Sequence, residues 1–104
     1  MQADPQLRFL PQLIALARHM LQPQQIILFG SRARGDHTST SDVDLALRVS
    51  AAGTAHWPRF VAEAEEHVRT LLKLDLVRLD RTSDAMRQSI AEEGLLIYAQ
   101  ENLD

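Results

Sequence analysis

The sequence predicts a small α/β (α+β) domain, a short mixed sheet flanked by helices. Two observations predict it. Segments with helical 3–4 apolar spacing alternate with short, β-branched apolar runs, in the order helix, strand, loop, strand, helix, strand, helix, strand. The chain has 104 residues, 45% of them hydrophobic and 24% charged, which suits one modest core rather than a disordered or multidomain chain. No repeat, low-complexity tract or linker interrupts it, so residues 1–104 read as a single domain.

Each element has its own grounds. Residues 6–21 carry two apolar stripes at helical spacing: Leu7, Leu10, Ile14, Ala17 and Leu21, and Phe9, Leu13, Leu16 and Met20. Asp4 suits the N-cap with Pro5 first in the helix, and Pro23 ends the segment. Either stripe could face the core, leaving the other for an interface. Residues 25–30 form a short apolar run between Pro23 and Gly30, which fits a buried strand. Residues 31–41 hold nothing apolar but Ala33 and read as a loop or short helical turn. Residues 43–49 alternate as a strand, and residues 50–54 are a turn. A stripe of Phe60, Ala64, Val68 and Leu71 predicts a helix over 57–72. Residues 74–79 are a third strand. Ser83 or Thr82 caps a helix over 84–93 with Gly94 at its end, and residues 95–98 close the chain as an apolar run.

Composition excludes several classes. There is no cysteine, so disulfides, thiolate catalysis and Cys-ligated zinc are excluded. Net charge is −3, and direct nucleic-acid binding is not expected without a basic face. No apolar run approaches the roughly 18–20 residues of a membrane helix. The opening Met1-Gln2-Ala3-Asp4-Pro5 lacks the basic and apolar stretches of a signal peptide, so a cytoplasmic protein is expected.

Polar groups gather at three strand ends. Asp42 and Asp44 stand two residues apart, so in extended chain both point one way, roughly 6–7 Å apart. Such a pair repels unless a cation lies between, and Mg²⁺ suits carboxylates shared with substrate phosphates. Asp75 sits between Leu74 and Leu76, where an unpartnered acid is costly to desolvate. If the third strand lies beside the second, it completes a triad; Asp80, five residues on, is the alternative. Gly30-Ser31 lets backbone and a hydroxyl approach an anion closely, and Arg32 and Arg34 offer charge for phosphate. These are parts of metal-assisted phosphoryl or nucleotidyl transfer. Of the histidines only His37 falls in this loop; His19, His56 and His67 lack ligand spacing. Trp57 and Tyr98 read as core.

The string Gly30-Ser31-Arg32-Ala33-Arg34-Gly35, followed by Ser41-Asp42-Val43-Asp44-Leu45, resembles the G-S-x10-D-x-D signature of the polymerase-β-like nucleotidyltransferase superfamily. The short chain is similar to its minimal nucleotidyltransferases (MNT), as are the leading helix, Asp75 in Leu-Asp-Leu-Val, and the ending Ile90 to Tyr98. The resemblance implies that Gly30 and Ser31 contact the β- and γ-phosphates of ATP, with Arg32 and Arg34 nearby. It implies that Asp42, Asp44 and Asp75 ligate two Mg²⁺ ions, with Asp75 helping to activate an acceptor hydroxyl. It further implies AMP transfer to a tyrosine of a HEPN-type ribonuclease toxin encoded next door, an antitoxin role. Two alternatives stand beside this. One is a non-catalytic antitoxin that occludes a ribonuclease. The other is a small-molecule nucleotidyltransferase working with a separate acceptor-binding subunit.

Overall fold

The structure is a computed structural model that describes residues 4–101. Residues 1–3, read above for a leader, and residues 102–104 lie outside them.

Asp4 does act as a cap, its carboxylate accepting from the Gln6 amide at 2.9 Å, but what it caps is a single 3₁₀ turn, Pro5–Leu7. The helix proper, α1, is Leu10–Met20. The expected continuous helix from residue 6 is broken because Pro11 has no N–H for the Leu7 carbonyl and is tolerated only in a first turn. After α1 come β1 (Gln25–Phe29), a four-residue helix α2 (Ser31–Arg34) and β2 (Val43–Arg48). The expected turn at 50–54 is a short helix, α3 (Ala51–Thr54), because the Ser50 hydroxyl accepts from the Gly53 amide and nucleates it.

α4 spans Trp57–His67, with Pro58 in its first turn, and stops short of the expected residue 72. Val68 is already extended, with ψ 122°. The chain end of α4 is held by Gln12 of α1, whose amide donates to the His67 carbonyl at 3.0 Å and accepts from the Arg69 amide at 3.5 Å. Phe60, Ala64 and Val68 are buried as their spacing predicts, but Leu71 lies past the break and is fully exposed. β3 (Leu74–Arg78), a 3₁₀ turn at Leu79–Arg81, α5 (Asp84–Glu93) and β4 (Leu95–Ala99) complete the chain. Ser83 is the cap of α5, accepting from the Met86 amide at 3.1 Å. Gly94 is not left-handed (φ −70°). Its need for glycine is spatial: a Cβ there would run into the Ile90 carbonyl and the Ile27 side chain.

The strands form one sheet in the order β3-β2-β1-β4. β1 is antiparallel to both neighbours, and β2 and β3 run parallel, joined by the α3–α4 crossover. Alternation sorts the side chains onto two faces. One face carries Ile26, Leu28, Val43, Leu45 and Leu47 against Phe9, Leu13, Ala17 and Leu21 of the leading segment and Phe60, Ala64 and Val68. The buried set of the first helix thus draws on both stripes, and neither is left whole for an interface. The other face carries Ile27, Phe29, Ala46 and Val77 against Leu79 and Ile90 of the α5 side. That second layer is small, and the end of this face beyond Phe29 is open. Tyr98 packs against the larger core with the Arg18 guanidinium 5.6 Å from its ring centre, and Trp57 lies 5.6 Å from Phe60.

Candidate active site

β1 ends where β2 begins, and β2 and β3 begin side by side. Across this end of the sheet Phe29, Asp44 and Asp75 are in register, Phe29 with Asp44 and Asp44 with Asp75. Residues in register share a face, so the two carboxylates stand on the face that α5 covers only in part. The sequence left the placing of Asp75 to the strand order, and the parallel β2–β3 pair decides it. Asp80 lies past the other end of β3, exposed, with Arg78 donating to it at 2.7 Å and holding it below the usual carboxylate range.

Gly30 joins β1 to α2 with φ +74° and ψ −156°, a conformation close to glycine-only. It also has no room for a side chain, because a Cβ would collide with the Asp44 carboxylate. The strand end, the turn and the acid are therefore in contact. α2 starts at once: its first intrahelical bonds run from the Ala33 and Arg34 amides to the Gly30 carbonyl, both 3.1 Å. The Ser31 and Arg32 amides precede them and have no carbonyl within the helix to bond. Gly35, φ +88°, ends α2.

Asp44 is half-buried, whereas Asp42 and Asp75 are exposed. Burial pushes the Asp44 carboxyl above its ordinary range, and the neighbouring charges of Asp75 and Asp42 push it further. Arg34 pulls weakly the other way. Asp44 and Asp75 are thus crowded like charges. Among the described residues no three acids or histidines converge tightly enough to enclose a metal ion. The oxygen donors nevertheless match a hard divalent cation in kind: two adjoining carboxylates and a third two residues away.

The two arginines part company. Arg34 is exposed at the site, donating to Asp36 at 3.2 Å and to Glu93 of α5 at 3.2 Å, and both contacts raise its pKa. Arg32 does not reach the cleft. Its side chain is 0% exposed, and its guanidinium donates to carbonyls of the loop before Asp42. Reading it as a phosphate ligand is corrected by that burial: an extended loop of polar residues leaves carbonyls that need donors, and Arg32 supplies them. His37 likewise turns to Asp4, its Nε2 3.8 Å from the carboxylate.

Between α5 and the Gly30 turn lies a cleft of about 440 Å³, bordered by Phe29, Gly30, Arg34, Ser83, Met86, Ser89 and Glu93. A larger one, about 640 Å³, adjoins it across Ser83 and Met86 and reaches Val77 and Arg78. None of Asp42, Asp44 and Asp75 lines either cleft. The smaller touches the turn and Arg34, and so belongs with the candidate chemistry. Sequence reasoning missed the α5 residues, because Ser83 reads as a cap and Glu93 as a solvated face. Only the tertiary pairing of Glu93 with Arg34, 59 residues away, exposes them.

The family model for polymerase beta nucleotidyltransferases matches residues 11–103. The chain belongs to this nucleotidyltransferase family. No curated protein matches its sequence. Among solved structures this nucleotidyltransferase is similar to a toxin–antitoxin complex crystallised with AMP-PNP, at 24% identity over 88% of this chain and 73% of that one, TM-score 0.63. It is similar to a mutant MntA–HpeT toxin–antitoxin complex, at 24% identity over 96% and 76%, TM-score 0.67. A third is the tri-AMPylated HEPN toxin of Shewanella oneidensis in complex with MNT antitoxin, at 22% identity over 91% and 73%, TM-score 0.59. At such identities the likeness is one of fold. Among the described residues no helix is long and apolar enough to cross a membrane.

Proposed function

We propose that this nucleotidyltransferase transfers AMP from ATP to a tyrosine hydroxyl of a HEPN-type ribonuclease toxin, in the cytoplasm and as its antitoxin, with residues 1–104 acting as one minimal domain. The observation that carries the reading is the contact between the Gly30 turn and the Asp44 carboxylate, with Asp75 in register beside it. A phosphate-approach turn and crowded acids at one sheet end suit a polyphosphate and cation together. The structural likeness to MNT antitoxins supports the choice of acceptor.

In this reading Gly30 and Ser31 hold the β- and γ-phosphates through backbone amides and the Ser31 hydroxyl. Arg34 leaves Glu93 to meet phosphate charge. Asp42, Asp44 and Asp75 would hold Mg²⁺, two ions, which when bound would offset their crowding and polarise the phosphoryl oxygens. Asp75, exposed on the edge strand, takes the proton of the acceptor hydroxyl. The hydroxyl oxygen forms a bond to the α-phosphorus, the α–β bridging bond breaks, and pyrophosphate leaves.

The test is the intact mass of the HEPN-type protein encoded beside this chain, after incubation with the chain, ATP and Mg²⁺. An AMP adduct is expected, absent with Asp42→Asn plus Asp44→Asn. A stable inhibitory complex without adduct would instead establish occlusion, and an adduct on a metabolite would establish small-molecule transfer.

A further inference from the structure

Arg32 is the one buried charged side chain of the described core. Its contacts tie together two segments far apart in sequence. Nε donates to the Ser41 carbonyl at 3.1 Å, and Nη2 to those of Thr38 and Ser39 at 3.3 and 3.4 Å. Nη1 donates to Gln6 Oε1 at 3.1 Å and stands 3.7 Å from the Asp4 carboxylate. Gln6 closes the circuit, its own amide donating to the Ser39 carbonyl at 2.8 Å. The loop is further tightened from within, where the Thr38 amide donates to Ser41 Oγ at 2.9 Å. Ser41 is followed directly by Asp42. A buried guanidinium is tolerated only with its donors and charge satisfied, so these partners hold it as firmly as it holds them. The planar fork spans three carbonyls and a side-chain amide at once, which a single ammonium cannot.

We propose that Arg32 is a positioning residue of the transfer site: it fastens the turn at residues 4–6 to the loop at residues 38–41, and so sets where Asp42 stands. The proposal rests on the AMP-transfer reading for its catalytic consequence, but the fastening itself is tested without it. Arg32 acts from behind the loop and touches no substrate.

The test compares the full chain with its Arg32→Met, Arg32→Lys, Gln6→Ala and Asp4→Ala variants. Two readouts are taken: amide hydrogen exchange, and kcat and KM for ATP in AMP transfer. Arg32→Met should raise exchange over residues 38–44 by at least about tenfold while residues 57–67 keep their protection. It should lower kcat by roughly 10–100-fold, the scale of a small misplacement, with KM for ATP changed by less than about threefold. Gln6→Ala and Asp4→Ala should move both readouts the same way by less, and Arg32→Lys should recover part of kcat. A raised KM with unchanged kcat and unchanged loop exchange would overturn the proposal in favour of direct phosphate contact. Wild-type behaviour of both Gln6→Ala and Asp4→Ala would overturn it as well. If Arg32→Met loses protection everywhere, those two milder variants decide. If the wild-type chain transfers no AMP, the functional reading fails, and exchange alone upholds or rejects the fastening.

Discussion

Replacing Gly30 with alanine strikes the site in two separable ways, and Gly35→Ala separates them. At Gly30 the backbone, φ +74° and ψ −156°, lies where L residues are strained by about 1–3 kcal/mol. At Gly35, φ +88° and ψ 7°, the left-handed conformation costs alanine about 1–2 kcal/mol. The difference lies in the surroundings. A Cβ on Gly35 meets nothing within 4 Å, whereas one on Gly30 collides with the Asp44 carboxylate. Both variants should therefore melt lower, by about 4–8 °C for each kcal/mol lost in a domain of this size. Only Gly30→Ala should also push Asp44 out of place, so AMP transfer should fall about 10–100-fold in that variant and stay within about threefold of wild type in Gly35→Ala. Thermal melts and initial rates with saturating ATP and Mg²⁺ read both effects. A Gly30→Ala protein with wild-type kcat, or a Gly35→Ala protein equally disabled, would refute the claim that the glycine makes room for the carboxylate.

Asp44→Asn should abolish transfer and yet stabilise the metal-free fold. Because the folded-state pKa of Asp44 is raised, its contribution is fullest when it is protonated and is lost as pH rises through that raised pKa. The advantage of the variant in urea unfolding should therefore grow from acid to neutral pH, and a gap constant over pH would contradict the crowding. Mg²⁺ should raise the melting temperature of the wild type and leave Asp44→Asn plus Asp42→Asn unmoved. Glu93→Gln frees Arg34 from its partner on α5, so calorimetry should show ATP binding a few-fold more tightly; weaker binding would mean the pair builds the site rather than competes with it. Phe60→Ala empties a side chain that is 0% exposed and should cost about 3–5 kcal/mol in denaturant unfolding, with m nearly unchanged.

Much of the fold was legible because its signals are local. Short apolar runs mark β1 and β4, alternation marks β2, and Ser83, Pro23 and Gly30 bound their neighbours as expected. Pro11 was the overlooked local signal, and it splits the leading helix. The end of α4 was not local at all, since Gln12 holds it from another helix. The acids were legible as types and spacing, but Asp75 stands next to Asp44 only through the strand order and register. Arg32 and Arg34 illustrate the remaining gap. Two residues apart on one short helix, they look alike in sequence, yet one faces inward to loop carbonyls and the other outward to Glu93. That choice depends on where residues 4–6 and 38–41 run, which no spacing in the chain records.

Strand topology also gives the site an order of assembly. Asp44 belongs to the antiparallel β1–β2 pair, and Gly30 and Asp42 stand at the two ends of the connection over residues 30–42, so the three come together when that pair closes. Asp75 arrives by the long crossover, and it rides on β3, one of the two edge strands, no residue of which is fully buried. Edge strands open at lower free energy than interior ones. The Gly30 turn and the paired aspartates can thus persist while β3 detaches, so Asp75, the group proposed to take the acceptor's proton, is the part of the centre that breathing of the native state removes first.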